Sequence, residues 1–301
     1  MPEPKKSFKS GFVAVVGRPN AGKSTLVNAL VGAKVSIVTP VAQTTRNRIL
    51  GIVHRPDAQV ILMDTPGIHR PHSRLNDQMM AFVREALEER DLTLLIADAS
   101  ASFGKGDEFA VKFVAEHAPK AILLLNKIDR VHKPKLLPLI DRYSKLHDFE
   151  EIFPVSALKG LQLDELMEAI IARLPEGPAY FPPDIYTDQP ERFLAAEIVR
   201  EQVIRNTHQE LPHVSAVLID RFEESDTITR IHATILVERE TQKPIVLGAG
   251  GSRIKQIGTA ARLELEKVFP PKVFLQLFVR VEPNWRDSRP VLAALDYHHE
   301  G

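Results

Sequence analysis

The sequence predicts two domains in series: an α/β domain with a mostly parallel sheet covered by helices on both faces, and then a smaller α+β domain. From residue 11 to about residue 174, short runs of Val, Ile and Leu alternate with segments of helical periodicity. A proline-rich stretch without periodicity follows, and beyond it the predicted order is helix, strand, strand, helix, strand. The length of 301 residues agrees with two domains that each bury a core.

Six apolar runs are the predicted strands of the first domain, because they are nearly continuous, as strands buried on both faces are. They lie at residues 12–16, 49–53, 60–63, 92–97, 121–125 and 152–155. Four segments of helical periodicity supply the cover, at residues 23–31, 77–89, 107–116 and 161–173. The alternation of strand and helix predicts parallel pairing for most of the sheet.

Prolines mark the boundary between the two domains and predict a stiff, extended connector, since proline fixes φ and lacks an N–H. They are Pro175, Pro178, Pro182, Pro183 and Pro190. We therefore divide the chain into a first domain at residues 8–178, a linker at 179–190 and a second domain at 191–301. The second domain has predicted helices at 191–209 and 252–268, predicted strands at 214–220, 227–237 and 273–281, and a short apolar run at 244–247 that leads into a glycine cluster.

Composition excludes several classes of protein. The 39 basic and 39 acidic residues cancel, so any contact with nucleic acid must be local rather than a property of the bulk charge. The chain has no cysteine, which excludes disulfides and thiolate metal sites. No apolar run approaches the roughly 20 residues that span a bilayer, and residues 1–6 lack the apolar core of a signal peptide, so we expect a cytoplasmic protein.

The segment GRPNAGKS at residues 17–24 follows the first predicted strand and opens the first predicted helix, which is the context of a P-loop. Its glycines let backbone N–H groups converge on phosphate oxygens, while the helix dipole adds positive potential. We expect Lys23 to reach the β- and γ-phosphates and Ser24 to ligate Mg²⁺; a glycine turn before an ordinary helix is the alternative. The predicted nucleotide-binding residues of this segment are Gly17, Arg18, Pro19, Asn20, Ala21, Gly22, Lys23, Ser24 and Thr25.

Two further segments complete the predicted phosphate site. Asp64 ends a strand, where its carboxylate can hold Mg²⁺ through water, and the amide of Gly67 can meet the γ-phosphate and report its loss. In QTTR at residues 43–46, a threonine hydroxyl can ligate Mg²⁺ only while the γ-phosphate is bound; Thr45 is our first choice and Thr44 the second. The predicted catalytic residues are Lys23, Thr45 and Gly67, the predicted Mg²⁺ ligands are Ser24, Thr45 and Asp64, and Asp64, Thr65, Pro66, Gly67 and Ile68 join the nucleotide-binding set.

The tetrapeptide NKID at residues 126–129 ends a strand and predicts which base is bound. The Asp129 carboxylate can accept two parallel hydrogen bonds from guanine N1–H and its N2 amino group, a pair of donors that adenine does not offer. Asn126 and Lys127 are expected to brace the loops and cover the ring. Ser156 and Ala157, after the last strand, are expected to present backbone amides to guanine O6.

Five motifs in this order, GRPNAGKS, QTTR, DTPG, NKID and SA, resemble the translation-factor class of GTPases across the first domain. The glycine cluster at residues 246–258 resembles the GxxG loop of a type II KH domain, which clamps four nucleotides of single-stranded RNA. Nearly the entire chain resembles the Era family of bacterial GTPases. The residues that the resemblance assigns to RNA are Gly248, Ala249, Gly250, Gly251, Ser252, Arg253 and Lys255.

This resemblance implies a function. Members hydrolyse GTP to GDP and phosphate with Mg²⁺, bind the 3′ end of 16S ribosomal RNA through the KH domain and assist maturation of the small (30S) ribosomal subunit. The resemblance also allows peripheral association with the cytoplasmic face of the cell membrane, and nothing in the sequence indicates an obligate oligomer. Ile68 stands where Ras-like enzymes carry a water-orienting glutamine, so we expect slow intrinsic turnover. Relatives with this replacement use K⁺, and Asn20 matches the associated P-loop asparagine.

A second hypothesis keeps the GTPase but not the RNA. The C-terminal domain could dock on a protein or membrane partner, with the KH likeness limited to its fold. The sole tryptophan, Trp285, is likewise open to two interpretations: a packing anchor, which we favour, or a base-stacking platform.

Overall fold

The computed structural model describes residues 7–69, 73–269 and 272–295. These residues form two compact units. The first contains residues up to Ser36, the segment from Ala42 through the DTPG loop, and Asn76–Asp188. The second contains Ile37–Val41, Ser73–Leu75 and the chain from Gln189 onward.

The first unit is a six-stranded sheet with helices on both faces. Its strands, in the order β2-β3-β1-β4-β5-β6, are β1 (Lys9–Gly17), β2 (Ile49–Arg55), β3 (Ala58–Asp64), β4 (Leu92–Asp98), β5 (Ile122–Asn126) and β6 (Glu151–Pro154). Only the pairing of β2 with β3 is antiparallel. Its helices are α1 (Lys23–Val31), α2 (Arg74–Glu89), α3 (Lys105–His117), α4 (Leu136–Ser144) and α5 (Leu163–Arg173). The predicted, mostly parallel α/β class is confirmed.

Successive residues of the central strands enter two separate hydrophobic cores, because side chains alternate across a sheet. Ala14 and Val16 belong to the core that contains residues of α2 and α3, whereas Val13 and Val15 belong to the core that contains residues of α1 and α5. All four are fully buried. Continuous apolar strands are therefore required here, since both faces of the central strands are buried against helices.

Helix α4 was not predicted. Its sequence is short and contains Pro138, which reads as a helix breaker. The structure places Pro138 at the third helical position, where its missing N–H has no intrahelical partner to lose.

The prolines predict a stiff, extended connector, and the structure adds that most of this segment belongs to the first unit. Residues 178–188 belong to the first unit and hydrogen-bond along its sheet. Ile52 donates its amide to the carbonyl of Tyr186 at 2.9 Å, and the Gln59 side chain accepts from the Tyr180 amide and donates to the Phe181 carbonyl. The prolines keep the segment extended, and the hydrogen bonds cover an otherwise open sheet edge.

The second unit is a three-stranded sheet with helices packed on it. The strands are β7 (Ala216–Glu223), β8 (Thr229–Val237) and β9 (Val273–Val281), with β7 antiparallel and β9 parallel to β8. Helices α6 (Glu191–Asn206) and α9 (Ser252–Leu265) match prediction, and α7 (Leu211–Val214), α8 (Lys243–Leu247) and α10 (Arg289–Ala294) are additional. The run at 244–247 is thus helical. Trp285 is fully buried against Ala216 and Leu236, so it is a packing anchor.

Within the described residues, no helix combines the length and the apolar character needed to cross a membrane.

Candidate functional site: a guanine nucleotide pocket and a glycine loop

Three left-handed residues shape the loop between β1 and α1. Gly17, Asn20 and Gly22 have φ of 152°, 62° and 101°. A Cβ on Gly17 would collide with the Ile96 carbonyl, and one on Gly22 with the Asn126 side chain. Only glycine fits at these two positions, so the P-loop pattern reflects both backbone conformation and close packing.

Lys23 is buried at the first position of α1. Its ammonium donates to the carbonyls of Arg18 at 3.1 Å and Gly17 at 3.3 Å, so it lies within the P-loop. Burial lowers the pKa of Lys23 to about 8, although the Asp64 carboxylate opposes this shift. Burial therefore disfavours the charged ammonium of Lys23 unless an anion binds beside it.

The predicted Mg²⁺ ligands lie together at the end of β3. Both oxygens of the fully buried Asp64 carboxylate lack a hydrogen-bond donor among the described residues. The hydroxyls of Ser24 and Thr45 are 2.9 Å apart, and Thr45 is buried. Burial raises the pKa of Asp64 above its ordinary value, and neighbouring Ser24 and Lys23 oppose the rise. Two hydroxyls beside an orphaned carboxylate form an oxygen donor set that fits hydrated Mg²⁺.

The DTPG loop rests directly on the P-loop. Thr65 donates its hydroxyl to the Val15 carbonyl at 2.8 Å, and a Cβ on Gly67 would lie 2.6 Å from the Pro19 nitrogen. The Ile68 amide donates to the Gly17 carbonyl at 2.9 Å, while its side chain is buried in the core. Ile68 was predicted to bind nucleotide. Because its side chain is buried, only its backbone lies at the surface of the nucleotide site.

His69 supports this loop in a way that sequence reasoning missed. Its Nδ1 is 2.6 Å from the Gly67 carbonyl, and its Nε2 is 2.6 Å from the Asn76 side-chain nitrogen. Since the carbonyl can only accept, Nδ1 carries the proton and Nε2 accepts from Asn76. Nothing local in the sequence distinguishes this histidine from a solvated one.

The guanine motif ties several loops together. Asn126 donates to the Ala21 carbonyl at 2.9 Å and accepts from the Ala157 amide at 3.0 Å, so it joins the P-loop to the Ser-Ala loop. Ser156 donates its hydroxyl to Asp129 at 2.6 Å. The Ser156 amide donates to the Leu161 carbonyl. The two amides expected to reach guanine O6 are thus already donating within the protein, and that role stays a prediction.

Lys127 lies across the P-loop. Its ammonium donates to the Asn20 carbonyl at 2.7 Å and to Asp98 at 2.6 Å. Burial acts to raise the pKa of Asp98, but Lys127 and Ser100 outweigh it and hold the pKa below its ordinary value. Asp98 was missed, although its position offered a signal: it ends β4, and parallel strands deliver their carboxyl ends to one edge of the sheet.

In the second unit, the glycine cluster forms a loop of left-handed residues before α9. Gly248, Gly250 and Gly251 have φ of 74°, 58° and 78°. A Cβ on Gly248 would lie 2.7 Å from the Arg253 backbone nitrogen, whereas one on Gly250 or Gly251 would meet nothing within 4 Å. The predicted loop geometry therefore needs glycine most strictly at Gly248.

The two predicted phosphate-binding cations differ in availability. Arg253 donates to the Ile245 carbonyl at 2.5 Å and so satisfies the end of α8. Lys255 lies in a shallow groove of about 440 Å³ along one face of α9, also lined by Ser252, Gln256, Thr259, Ala260 and Leu263. Lys255 is the better placed of the two for a ligand in that groove.

Comparison with known proteins finds relatives of both units. Residues 12–127 match the family model described as 50S ribosome-binding GTPase, and residues 210–286 match that of the KH domain. GTPase Era of Nostoc sp. (strain PCC 7120) is 46% identical over 302 aligned residues, covering 100% of this chain and 93% of the relative.

Two solved structures resemble the chain over nearly all of its length. One is Era in complex with MgGDPNP and nucleotides 1506–1542 of 16S ribosomal RNA, and the other is an Aquifex aeolicus Era variant bound to GDP·AlF4⁻. Each has a TM-score of 0.91 and 42% identity, covering 96% of this chain and 99% of the solved one.

The depressed pKa of Lys23 predicts an unusual pH dependence for the nucleotide-free protein. Between pH 8 and the ordinary value of 10.5 the unfolded state binds more protons than the folded state, so stability rises with pH. We expect Lys23→Met to remove a rise of up to about 3 kcal/mol and to stabilise the protein at pH 7. Urea unfolding from pH 7 to 10.5 measures this, and identical profiles for both proteins would contradict it.

Proposed function

The chain belongs to the Era family of GTPases, and from that premise we propose that it is a GTP-hydrolysing switch that binds the 3′ end of 16S ribosomal RNA and assists maturation of the 30S subunit. One observation supports this proposal most strongly. The same chain holds a nucleotide site, with Lys23 and Asp64 at the predicted phosphate end and Asp129 at the predicted base end, and, in the second unit, a left-handed glycine loop of the KH type. Neither feature alone couples GTP to RNA.

Each phosphate-site residue has a role that its position allows. The Lys23 ammonium, costly while buried alone, is neutralised by the β- and γ-phosphates. Ser24, Thr45 and Asp64 would hold Mg²⁺, which when bound neutralises the charge on the transferred phosphoryl. The Gly67 amide is fixed by the contact of its residue with Pro19, in place to donate to the γ-phosphate.

Slow intrinsic turnover follows from the position of Ile68. Its side chain is buried in the core, and an apolar group could not orient an attacking water in any case. A group from elsewhere that orients the attacking water would therefore accelerate GTP hydrolysis strongly. This behaviour suits a switch whose hydrolysis is triggered by its partner.

The RNA partner is the small-subunit rRNA rather than large-subunit RNA. The family model for residues 12–127 carries a 50S description, but the Era structure that matches 96% of this chain contains 16S nucleotides. We further propose that the protein acts in the cytoplasm on the maturing 30S subunit. Peripheral association with the cell membrane is a finer proposal, which rests on family resemblance alone.

Potassium activation is predicted from Asn20. Its left-handed backbone is held by Lys127, and we propose that its side chain helps to bind K⁺ beside the phosphates. We expect hydrolysis to be roughly tenfold faster in K⁺ than in Na⁺, which is ~1.4 kcal/mol of barrier, and Asn20→Gly to remove the difference while keeping the backbone conformation. Equal wild-type rates in the two buffers would sink the proposal.

Base specificity is predicted to reside in Asp129. Asn in its place loses the charge-assisted pair to guanine N1–H and N2, at about 1.5–3 kcal/mol per bond, but its amide can donate to the O2 of xanthine. We expect Asp129→Asn to lower GTP affinity by about 100-fold or more and to raise XTP affinity. Titration calorimetry with both nucleotides measures this, and an unchanged order of affinity would place recognition elsewhere.

The RNA role is tested at Gly250, where an added side chain meets no neighbour. Asp and Asn both tolerate its left-handed backbone, so Gly250→Asp adds a charge and Gly250→Asn is a neutral control of nearly the same shape. We expect Gly250→Asp to weaken binding of a 16S 3′-end oligonucleotide at least tenfold, with Gly250→Asn near wild type and GTP binding unchanged in both. Equal RNA affinity of all three proteins would favour docking on a protein or membrane instead.

A further inference from the structure

Asp107 lies outside all five nucleotide-binding motifs, yet it contacts the P-loop. It is buried in the first turn of α3. One carboxylate oxygen accepts from the Arg18 guanidinium at 2.6 Å and from the Gly104 amide at 2.9 Å, and the other accepts from the Tyr143 hydroxyl at 3.1 Å. The GTPase site thus has a buried anion behind it that binding of nucleotide does not explain.

The start of α3 is shaped to receive Arg18. A Cβ on Gly106 would lie 2.7 Å from Nε and 2.8 Å from Cζ of that arginine, so the guanidinium occupies space that a side chain at Gly106 would fill. Arg18 is 40% exposed, but the carboxylate it meets is 8% exposed. Its direction is fixed by packing and by the ion pair together.

Tyr143 keeps the carboxylate in place from the opposite side. Burial, reinforced by Asp107, raises the pKa of the Tyr143 phenol, so the hydroxyl stays protonated and donates. Its ring packs edge-on against Phe103, in the loop that leads into α3. Asp107 therefore cannot turn away from Arg18 without breaking a second buried hydrogen bond.

The residue that this contact fixes is Pro19. Arg18 is held by Asp107, and Asn20 is held through its carbonyl by Lys127, so the chain is fastened on both sides of Pro19. Gly67 packs directly on Pro19, with a virtual Cβ only 2.6–2.8 Å from three of its atoms. A shift of Pro19 would be passed directly to the Gly67 peptide.

We propose that Asp107 is a positioning residue for GTP hydrolysis: by holding Arg18 it fixes Pro19, and through Pro19 it fixes the Gly67 amide that meets the γ-phosphate. This inference rests on the proposed GTPase function and adds a residue to it. Because GDP has no γ-phosphate, the contact matters for the hydrolytic step more than for retention of GDP. A misplacement of about 1 Å at a catalytic group is enough to slow a reaction markedly.

A purely structural role for Asp107 makes a different prediction. Its bond to the Gly104 amide caps α3, so its loss would lower stability alone. Arg18→Ala separates the two roles, because it removes the contact with the P-loop and leaves the cap intact. Arg18→Lys restores a cation, and Glu116→Gln is the matched control: it removes a carboxylate from an exposed pair on the same helix.

The test compares single-turnover GTP hydrolysis, KM for GTP and the GDP dissociation rate in these proteins. We expect Asp107→Asn and Arg18→Ala to slow hydrolysis about tenfold, with KM and GDP release of Asp107→Asn within about threefold of wild type. The double variant should be no slower than the slower single one, since both break one contact. Arg18→Lys, which restores a cation but not the planar guanidinium, should recover part of the rate, and Glu116→Gln should match wild type.

Hydrolysis at the wild-type rate in Arg18→Ala, or losses that add in the double variant, would overturn the inference and leave the GTPase assignment standing. A lower melting temperature for Asp107→Asn with an unchanged rate would assign Asp107 to the helix cap only. Absence of hydrolysis in the wild-type protein would overturn the proposed function, and this inference with it.

Discussion

Parallel pairing of β1 with β3 and β4 is the constraint on which the nucleotide site depends. Parallel strands end at one edge of the sheet, so the P-loop after β1, Asp64 at the end of β3 and Asp98 at the end of β4 are delivered to the same place. β5 adds Asn126 beside them. These residues are spread over more than a hundred positions of the sequence, and the hydrogen bonds between parallel strands bring them together at one edge of the sheet.

The assembled site has an electrostatic cost, which ties its stability to its ligands. Burial disfavours the charge on both Lys23 and Asp64, and their mutual attraction offsets only part of this. In the proposed function, phosphate oxygens and a divalent cation would supply the missing opposite charges. Ligand binding would then relieve a cost already present in the fold, and the site would gain affinity from preorganisation.

Much of this could be predicted from sequence because the signals are local. Helix Lys23–Val31 and strand Val273–Val281 were predicted with the bounds observed, and each motif carries its own backbone demands. The failures involve contacts distant in sequence. Nothing near Asp107 reveals that Arg18 lies 2.6 Å away, and nothing near Tyr186 reveals that the linker pairs with β2.

The two sites achieve specificity by opposite physical means. In the nucleotide site, the half-buried side chains of Lys127 and Asp98 form an ion pair at 2.6 Å, which holds Lys127 across the P-loop. The glycine loop has neutral side chains and owes its shape to left-handed backbone that only glycine adopts at little cost. If single-stranded RNA binds there, as proposed above, backbone shape and base contacts would contribute more to recognition than charge, because the two positions between Gly248 and Gly251 carry no basic side chain.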